Sequence, residues 1–233
     1  MTVWFCIPSK RTPEQVKPIL KLWRERGYKI ALFRDEGDPA IVCDFGIREK
    51  YRGYAAAVNR LAREALARDP QAQWIVTGGD DTEPEPNKTA EEIARECTEH
   101  FKGTFGVMQP TGDRYGENEH SRARWPDAPS YIDRVAGSPW LGREWCRRAH
   151  AGQGPIHSAF WHMFEDESLK EYAEKLGVYW PRRDLTHLHQ HWGRSGSMPD
   201  FLRSVNTRKH WNESKAIFDR LKAENFASCL PIE

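Results

Sequence analysis

No stretch of this chain is apolar for long enough to cross a membrane. The N-terminal run from Val3 to Ile7 stops at Pro8, too short for a span or a signal peptide, and no later stretch is long enough either. A membrane is therefore not an expected partner. An excess of charge of one sign is also lacking. Lys and Arg number 35 against 34 Asp and Glu, a net charge of +1, which excludes an overall basic coat for nucleic acid and leaves only local patches. A disulfide framework is missing too. The five cysteines, Cys6, Cys43, Cys97, Cys146 and Cys229, are scattered, odd in number and form no Cys-x-x-Cys. They read as reduced thiols of a cytoplasmic protein. There are no internal repeats, low-complexity tracts or evident linkers. A chain of 233 residues can bury a core without disulfides or a structural metal.

What is present is an alternation of strands and helices. Val3 to Ile7 predicts a buried first strand. Thr12, Pro13 and Gln15 supply an N-cap, a proline at the first helical position and a capping-box partner. Val16, Ile19, Leu20 and Trp23 follow at helical spacing and Gly27 ends the helix. Lys29 to Phe33 predicts a second strand and Ile41 to Cys43 a short third. Gly53 to Ala67 predicts a helix, Trp74 to Thr77 a strand, a helix follows with Ile93 and Cys97 inward, and then a strand near Phe105 to Met108. This pattern implies a doubly wound, mostly parallel sheet, whose ligands sit outside the carboxyl ends of the strands. Gln109 to Gln153, rich in Gly, Pro, Arg and Trp, predicts long loops along a cleft. Beyond it come a helix around Leu169 to Leu176, a strand at Val178 to Trp180, an extended stretch from Asp184 to Trp192, and a helical segment from about Pro199 to Lys222. The ten tryptophans suit stacking on flat ligands, though most belong in a core.

Five constellations carry chemistry. Gly79-Asp80-Asp81-Thr82-Glu83 puts two adjacent carboxylates at a strand end, where mutual repulsion is relieved by Mg²⁺ or Mn²⁺ with positions left for phosphates. The plain alternative is a polar turn. His187, His189 and His191 alternate, so that one could complete a metal site or all three could hold zinc; the spacing does not choose among them, and ordinary strand histidines are the alternative. Glu165-Asp166-Glu167 opens a helix, as a general base for an acceptor hydroxyl or simply as charges suited to a helix N-terminus. Lys50-Tyr51-Arg52-Gly53, leading into a helix that contains Asn59, offers a diphosphate site or a solvated basic turn. The run Gly137 to Trp145 offers close backbone approach and an aromatic platform, or a loop packed on the core.

Taken in this order, the pieces resemble the GT-A class of glycosyltransferases, near the family 2 type, over roughly residues 2–192. The resemblance implies an α/β fold of GT-A (Rossmann-like) kind, a mixed, mostly parallel sheet flanked by helices. It divides the chain into a transferase domain over 1–195 (donor half about 1–110, acceptor and catalytic half about 111–195) and a C-terminal helical extension over 196–233. It implies a nucleoside-diphosphate sugar, a UDP-sugar first, with Mn²⁺ or Mg²⁺. Pro8, Ser9, Lys10 and Arg11 would hold the nucleotide, Asp35 its base or ribose, and Arg52, Gly53, Asn59 and Asp80 the rest of the donor. Asp81 with His189 or His191 would hold the metal, although Gly79-Asp80-Asp81 departs from the Asp-x-Asp pattern. Asp166, beside Glu165, would be the base of an inverting transfer.

The stretch Gly137 to Trp145, with Phe160 to Phe164 and His189 to Trp192, also resembles uncharacterised glycosyltransferase-like proteins of tailed bacteriophages. That resemblance implies sugar transfer onto a hydroxymethylated pyrimidine of phage DNA in the host cytoplasm. Ser138, Trp140 and Arg143 would meet the acceptor, and Arg122, Arg124, Arg147, Arg148, Arg182 and Arg183 would meet phosphates. Two other readings stand beside it. A sugar-nucleotide nucleotidyltransferase ranks low, because Pro8-Ser9-Lys10-Arg11 contains no glycine. A non-catalytic, metal-stabilised nucleic-acid-binding protein would show salt-dependent DNA binding and no response to sugar nucleotides.

Overall fold

The structure is a computed structural model that describes residues 1–113, 135–195 and 198–233. Its strands are β1 (Thr2–Pro8), β2 (Lys29–Arg34), β3 (Phe45–Arg48), β4 (Ala72–Val76), β5 (Thr82–Glu83), β6 (Val107–Pro110), β7 (Trp140–Gly142), β8 (Tyr179–Arg182) and β9 (Leu188–His189). Its helices are α1 (Pro13–Glu25), α2 (Tyr54–Arg68), α3 (Ala90–Phe101), α4 (Arg143–Gly152), α5 (Glu165–Lys175), α6 (Trp192–Ser195), α7 (Asp200–Val205) and α8 (Arg208–Ala223). Seven strands form one sheet in the order β3-β2-β1-β4-β7-β6-β8, and β5 pairs with β9 in a separate ribbon. Only β7 runs against its neighbours in the large sheet. This is the α/β, mostly parallel sheet flanked by helices that the alternation predicts.

Strand side chains alternate between two cores. Val3, Phe5 and Ile7 of β1 pack with α1 and α3 through Val16, Leu20, Trp23 and Ile93. Trp4 and Cys6 pack on the other face with α2, α4 and α5, through residues such as Leu61, Trp145 and Tyr172. Burial on both faces is why these strands read as continuous apolar runs. Capping boxes at Thr12/Gln15 and Thr89/Glu92 start α1 and α3. Helix α2 starts at Gly53, whose φ is +102° and where a Cβ would stand 2.7 Å from the Trp161 carbonyl oxygen.

Three local expectations are corrected. The third strand is Phe45–Arg48, not Ile41 to Cys43: Asp44 exchanges hydrogen bonds with Ile30, its backbone N–H to the Ile30 carbonyl and its carboxylate from the Ile30 N–H, and sets the pairing one step later. The segment 109–153 is not all loop, for β7 inserts between β4 and β6 and α4 follows it. The C-terminal segment is two helices, broken at Asn206, with Thr207 capping the second. From α8, Phe218 and Leu221 enter the core shared with α5.

From β1 the chain winds outward through β2 and β3, whereas β4 lies on the other side of β1. The order therefore reverses between β1 and β4, which opens a crevice at their carboxyl ends. Among the described residues no helix is long and apolar enough to cross a membrane. All five cysteines are free thiols.

Candidate active site

A cleft of about 1130 Å³ lies at that crevice. Its first wall is built by the turns after β1 and β4. Ser9 Oγ donates to Asp80 Oδ2 at 2.6 Å. Arg11 donates from Nε to Asp80 Oδ1 and from Nη2 to Asp81 Oδ2, both at 2.7 Å. Behind them the buried Arg34 donates to the carbonyl oxygens of Ser9 (2.9 Å) and Arg11 (2.7 Å), which fixes the turn after β1. Gly79 makes room for the pair, since a Cβ there would stand 2.4 Å from Asp81 Oδ1.

The fourth carboxylate oxygen, Asp81 Oδ1, lies 3.1 Å from His189 Nε2. The β5–β9 ribbon makes this contact by pairing Thr82 with His189. Burial pushes Asp80 above the ordinary carboxylate value despite its partners. At Asp81 burial also pushes upward, but the His189 hydrogen bond and the neighbouring positive groups outweigh it and the carboxyl ends below its ordinary value.

The second wall is the start of α5. Glu165, Asp166 and Glu167 all line the cleft. Glu165 is buried, its Oε2 has no hydrogen-bond partner, and burial with the Asp166 charge pushes it well above the usual range. Burial and Asp166 push Glu167 up to about 10. Asp166 Oδ1 accepts from the Glu167 backbone N–H at 3.0 Å. Burial thus disfavours the charged form of both carboxyls that flank Asp166 in the chain.

The cleft gathers Pro8, Ser9, Lys10, Arg11, Asp35 and Asp80 with Asp81, Ser138, Glu165, Asp166, His189 and His191. Asp35 Oδ1 accepts from the Tyr51 backbone N–H at 3.1 Å, and Lys10 pairs with Asp38 at 3.0 Å. The alternating histidines separate in role. His187 is buried against Ser138 Oγ (2.8 Å to Nδ1) and burial pushes it down to about 3, so it stays neutral inside the wall. The His189 and His191 rings lie 5.1 Å apart in the open cleft.

Five expected donor and acceptor residues, and four of the arginines expected at phosphates, lie off the cleft. Asn59 is buried and holds the Ile156 backbone at both ends of its amide, accepting from N at 3.0 Å and donating to O at 2.7 Å. Arg52 and Gly53 adjoin an α2 N-terminus whose first N–H, from Tyr54, is taken by the Trp161 carbonyl at 2.7 Å, so protein already fills that helix mouth. Trp140 is wholly buried on β7, not a platform. Arg143 donates to the carbonyls of Leu66 (3.1 Å) and Ala72 (2.7 Å) and so caps the end of α2. Arg147, Arg148 and Arg182 are engaged by Glu144, by the Ile232 carbonyl, and by Glu96 and Asp184. Arg183 does not line the cleft. Arg122 and Arg124 lie outside the described residues.

The cleft also uses Tyr51, Tyr54 and His162, which lie within the motifs but were given no role, and Phe201 and Trp211, which no motif includes. Trp211, 47% exposed and edge-on to Phe164 at 4.8 Å, is an aromatic surface at the mouth. The only trace of it in sequence is helical spacing, since Trp211, Ser214, Phe218 and Leu221 share one face of α8.

The donor set can be tested against a divalent cation. A carboxylate oxygen and an imidazole nitrogen converge at Asp81 and His189, a pairing that suits Mn²⁺, and an ion of this kind needs only one or two protein ligands when phosphates supply the rest. Among the described residues no group of three His, Cys, Asp or Glu side chains is gathered for a metal. The other three oxygens of the carboxylate pair are occupied by Ser9 and Arg11. The residues therefore fit an ion on the His189 side alone.

No family model matches the chain, and no curated protein does. Solved structures similar to part of it include two transferases. A glycosyltransferase involved in the glycosylation of the major capsid of PBCV-1 shares 11% identity at a TM-score of 0.36, over 62% of this chain and 62% of that one. A hypothetical transferase structure from Thermus thermophilus shares 11% identity at a TM-score of 0.34, over 63% of this chain and 67% of that one. Likeness at this level carries no weight for activity, and the fold class rests on the chain's own strand order.

Proposed function

We propose that the chain is a glycosyltransferase that moves a sugar from a nucleoside-diphosphate sugar to an acceptor hydroxyl. The observation that carries this reading is one cleft with two chemically distinct walls: an arginine-bridged carboxylate pair at the switch point of the sheet, and the Glu165-Asp166-Glu167 carboxyl cluster at the start of α5. The first wall suits a diphosphate and its counter-ions, and the second suits a hydroxyl that must lose its proton.

In this reading Asp35 with Tyr51 and Lys10 orients the nucleoside, and Ser9 and Arg11 fix the turn that meets the phosphates. Asp166 removes the acceptor proton while the acceptor oxygen forms its bond to the anomeric carbon. The bond from that carbon to the diphosphate breaks, and its electron pair leaves with the nucleoside diphosphate. Direct displacement inverts the anomeric centre. A divalent cation on Asp81 and His189 supplies charge to the departing diphosphate when bound. Trp211 and Tyr54 offer apolar surface to a sugar or base. A UDP-sugar is the proposed donor and a hydroxymethylated pyrimidine of DNA one proposed acceptor, with Ser138 on the cleft wall near it.

The test is release of nucleoside diphosphate from a panel of nucleotide sugars, offered with hydroxyl acceptors including 5-hydroxymethylated oligonucleotides. Release that depends on the acceptor and fails in Asp166→Asn supports the reading. No release from any pairing, together with salt-sensitive DNA binding, removes it in favour of a binding protein.

A further inference from the structure

The Asp80–Asp81 pair already has a cation. The Arg11 guanidinium spans both carboxylates along one edge, Nε to Asp80 and Nη2 to Asp81, at 2.7 Å each. Its Cζ lies 5.8 Å from the ring of Phe201 on α7, and its backbone carbonyl is held by Arg34. Asp80 is buried and Arg11 and Asp81 each keep only 18% side-chain exposure, so solvent screens this bridge weakly. Ser9 and His189 take the remaining two oxygens. The pair that the sequence offers to a metal is thus satisfied by the chain itself.

A divalent ion on Asp81 and His189 would sit beside this guanidinium. Like charges at such range repel strongly in a partly desolvated site. Withdrawing Arg11 alone leaves a buried carboxylate without its partner, which is costly. A diphosphate changes the balance, because its oxygens accept the planar fork of an arginine as well as a carboxylate pair does.

We propose that Arg11 is the resident counter-cation of Asp80 and Asp81, and that a divalent cation enters this site only together with a nucleoside diphosphate, whose phosphate oxygens take the guanidinium in exchange. The inference rests on the transferase reading for its nucleotide and on the Arg11 bridge for its competition. Because coupling is reciprocal, the nucleotide tightens the metal by the same factor as the metal tightens the nucleotide. Arg11 is then a specificity residue: a ligand without adjacent phosphates cannot admit the metal.

The experiment is Mn²⁺ binding, read from the free-ion signal by electron paramagnetic resonance, on the wild-type chain, Arg11→Met and Arg11→Lys, each with and without saturating UDP. Calorimetric titration of UDP runs in parallel. The wild type is expected to bind Mn²⁺ weakly alone and about 10-fold or more tighter with UDP, within the usual range of coupling. Arg11→Met should bind Mn²⁺ alone about 10-fold or more tighter than the wild type and gain little from UDP. Arg11→Lys, which keeps the charge and loses the two-carboxylate bridge, should fall between them, and it decides the matter if the Met variant does not fold. Equal Mn²⁺ affinity of the wild type and the variants without nucleotide overturns the role given to Arg11. Failure of UDP to bind the wild type under any condition removes UDP as the donor nucleotide instead, while the comparison with Mn²⁺ alone still judges Arg11.

Discussion

The Nε2 atom of His189 lies 3.1 Å from Oδ1 of Asp81, although the two residues belong to opposite halves of the chain. The contact depends on two short strands, β5 and β9, whose pairing sets Thr82 against His189. The Asp81 backbone carbonyl also accepts from the Gln190 N–H at 2.9 Å, so the ribbon and the carboxylate are fixed together. Asp113 holds the far side, accepting from the His189 backbone N–H at 3.0 Å.

Removing the carboxylate should therefore separate chemistry from folding. Asp81→Ala is expected to lose about 100-fold or more of kcat/KM, as when a preorganised charge-stabilising group is deleted. Its cost in stability should stay near 1–3 kcal/mol, because Asp80 remains to satisfy Arg11. Kinetics and urea unfolding of the same preparation check this, and near-wild-type turnover would remove Asp81 from the site.

Asp166→Asn should keep donor binding and lose transfer by roughly 10²- to 10⁴-fold, the usual worth of a general base. Calorimetry with the nucleotide and a transfer assay read the two halves separately. Transfer retained in the variant places the base elsewhere.

Asn59→Ala should do the reverse. The amide closes both hydrogen bonds of a buried Ile156 peptide, and their loss leaves buried groups unpaired at a cost of about 2–4 kcal/mol. Nucleotide affinity per folded molecule should not change. A selective loss of nucleotide binding without destabilisation would return Asn59 to the donor site.

Stability should depend on pH in two opposing senses. His150 and His187 are pushed down to about 3 by burial, so the stability of their neutral burial is complete above their ordinary value near 6.5 and is lost as pH falls below it. Glu167 is pushed up to about 10, so its contribution is complete below its ordinary value of 4.5 and is lost as pH rises toward 10; Glu165 acts in the same direction. Between 4.5 and 6.5 the two effects oppose. Above 6.5 only the carboxyls remain, and stability should fall from pH 6.5 to 8.5, by roughly 1 kcal/mol or less per pH unit for Glu167. Urea midpoints at the two pH values check the sign, and Glu167→Gln should flatten the slope. A midpoint that rises over this range contradicts the assignment.

Much of the scaffold was legible in the sequence because its signals are local. Thr12 with Gln15, Val16 with Leu20 and Trp23, and the apolar run of β1 each state their element within a few residues. Asp80 and Asp81 declared themselves by adjacency at a strand end. Their true partner did not, because Arg11 lies on another strand's turn and the sequence gives no sign of which cation balances the pair. Asn59 misled for a related reason: a polar residue on a helix looks the same whether it meets a ligand or a buried peptide. β7 escaped notice because three residues inside a Gly- and Pro-rich stretch carry no period, and it is the neighbours β4 and β6 that make them a strand. Trp211 and Phe201 entered the cleft unannounced, since α8 is placed by Phe218 and Leu221 in the core it shares with α5, and no motif marks α7.

Everything proposed for this chain depends on a nucleoside diphosphate binding in the crevice between β1 and β4. The most direct measurement is the melting temperature of the chain against a panel of nucleotides and nucleotide sugars, with and without Mn²⁺, since a ligand that binds only the folded state raises it by mass action. A rise is expected with one nucleoside diphosphate, larger with Mn²⁺ than without it and diminished in Asp81→Ala. Flat curves for every nucleotide, with a rise on DNA alone, would contradict it.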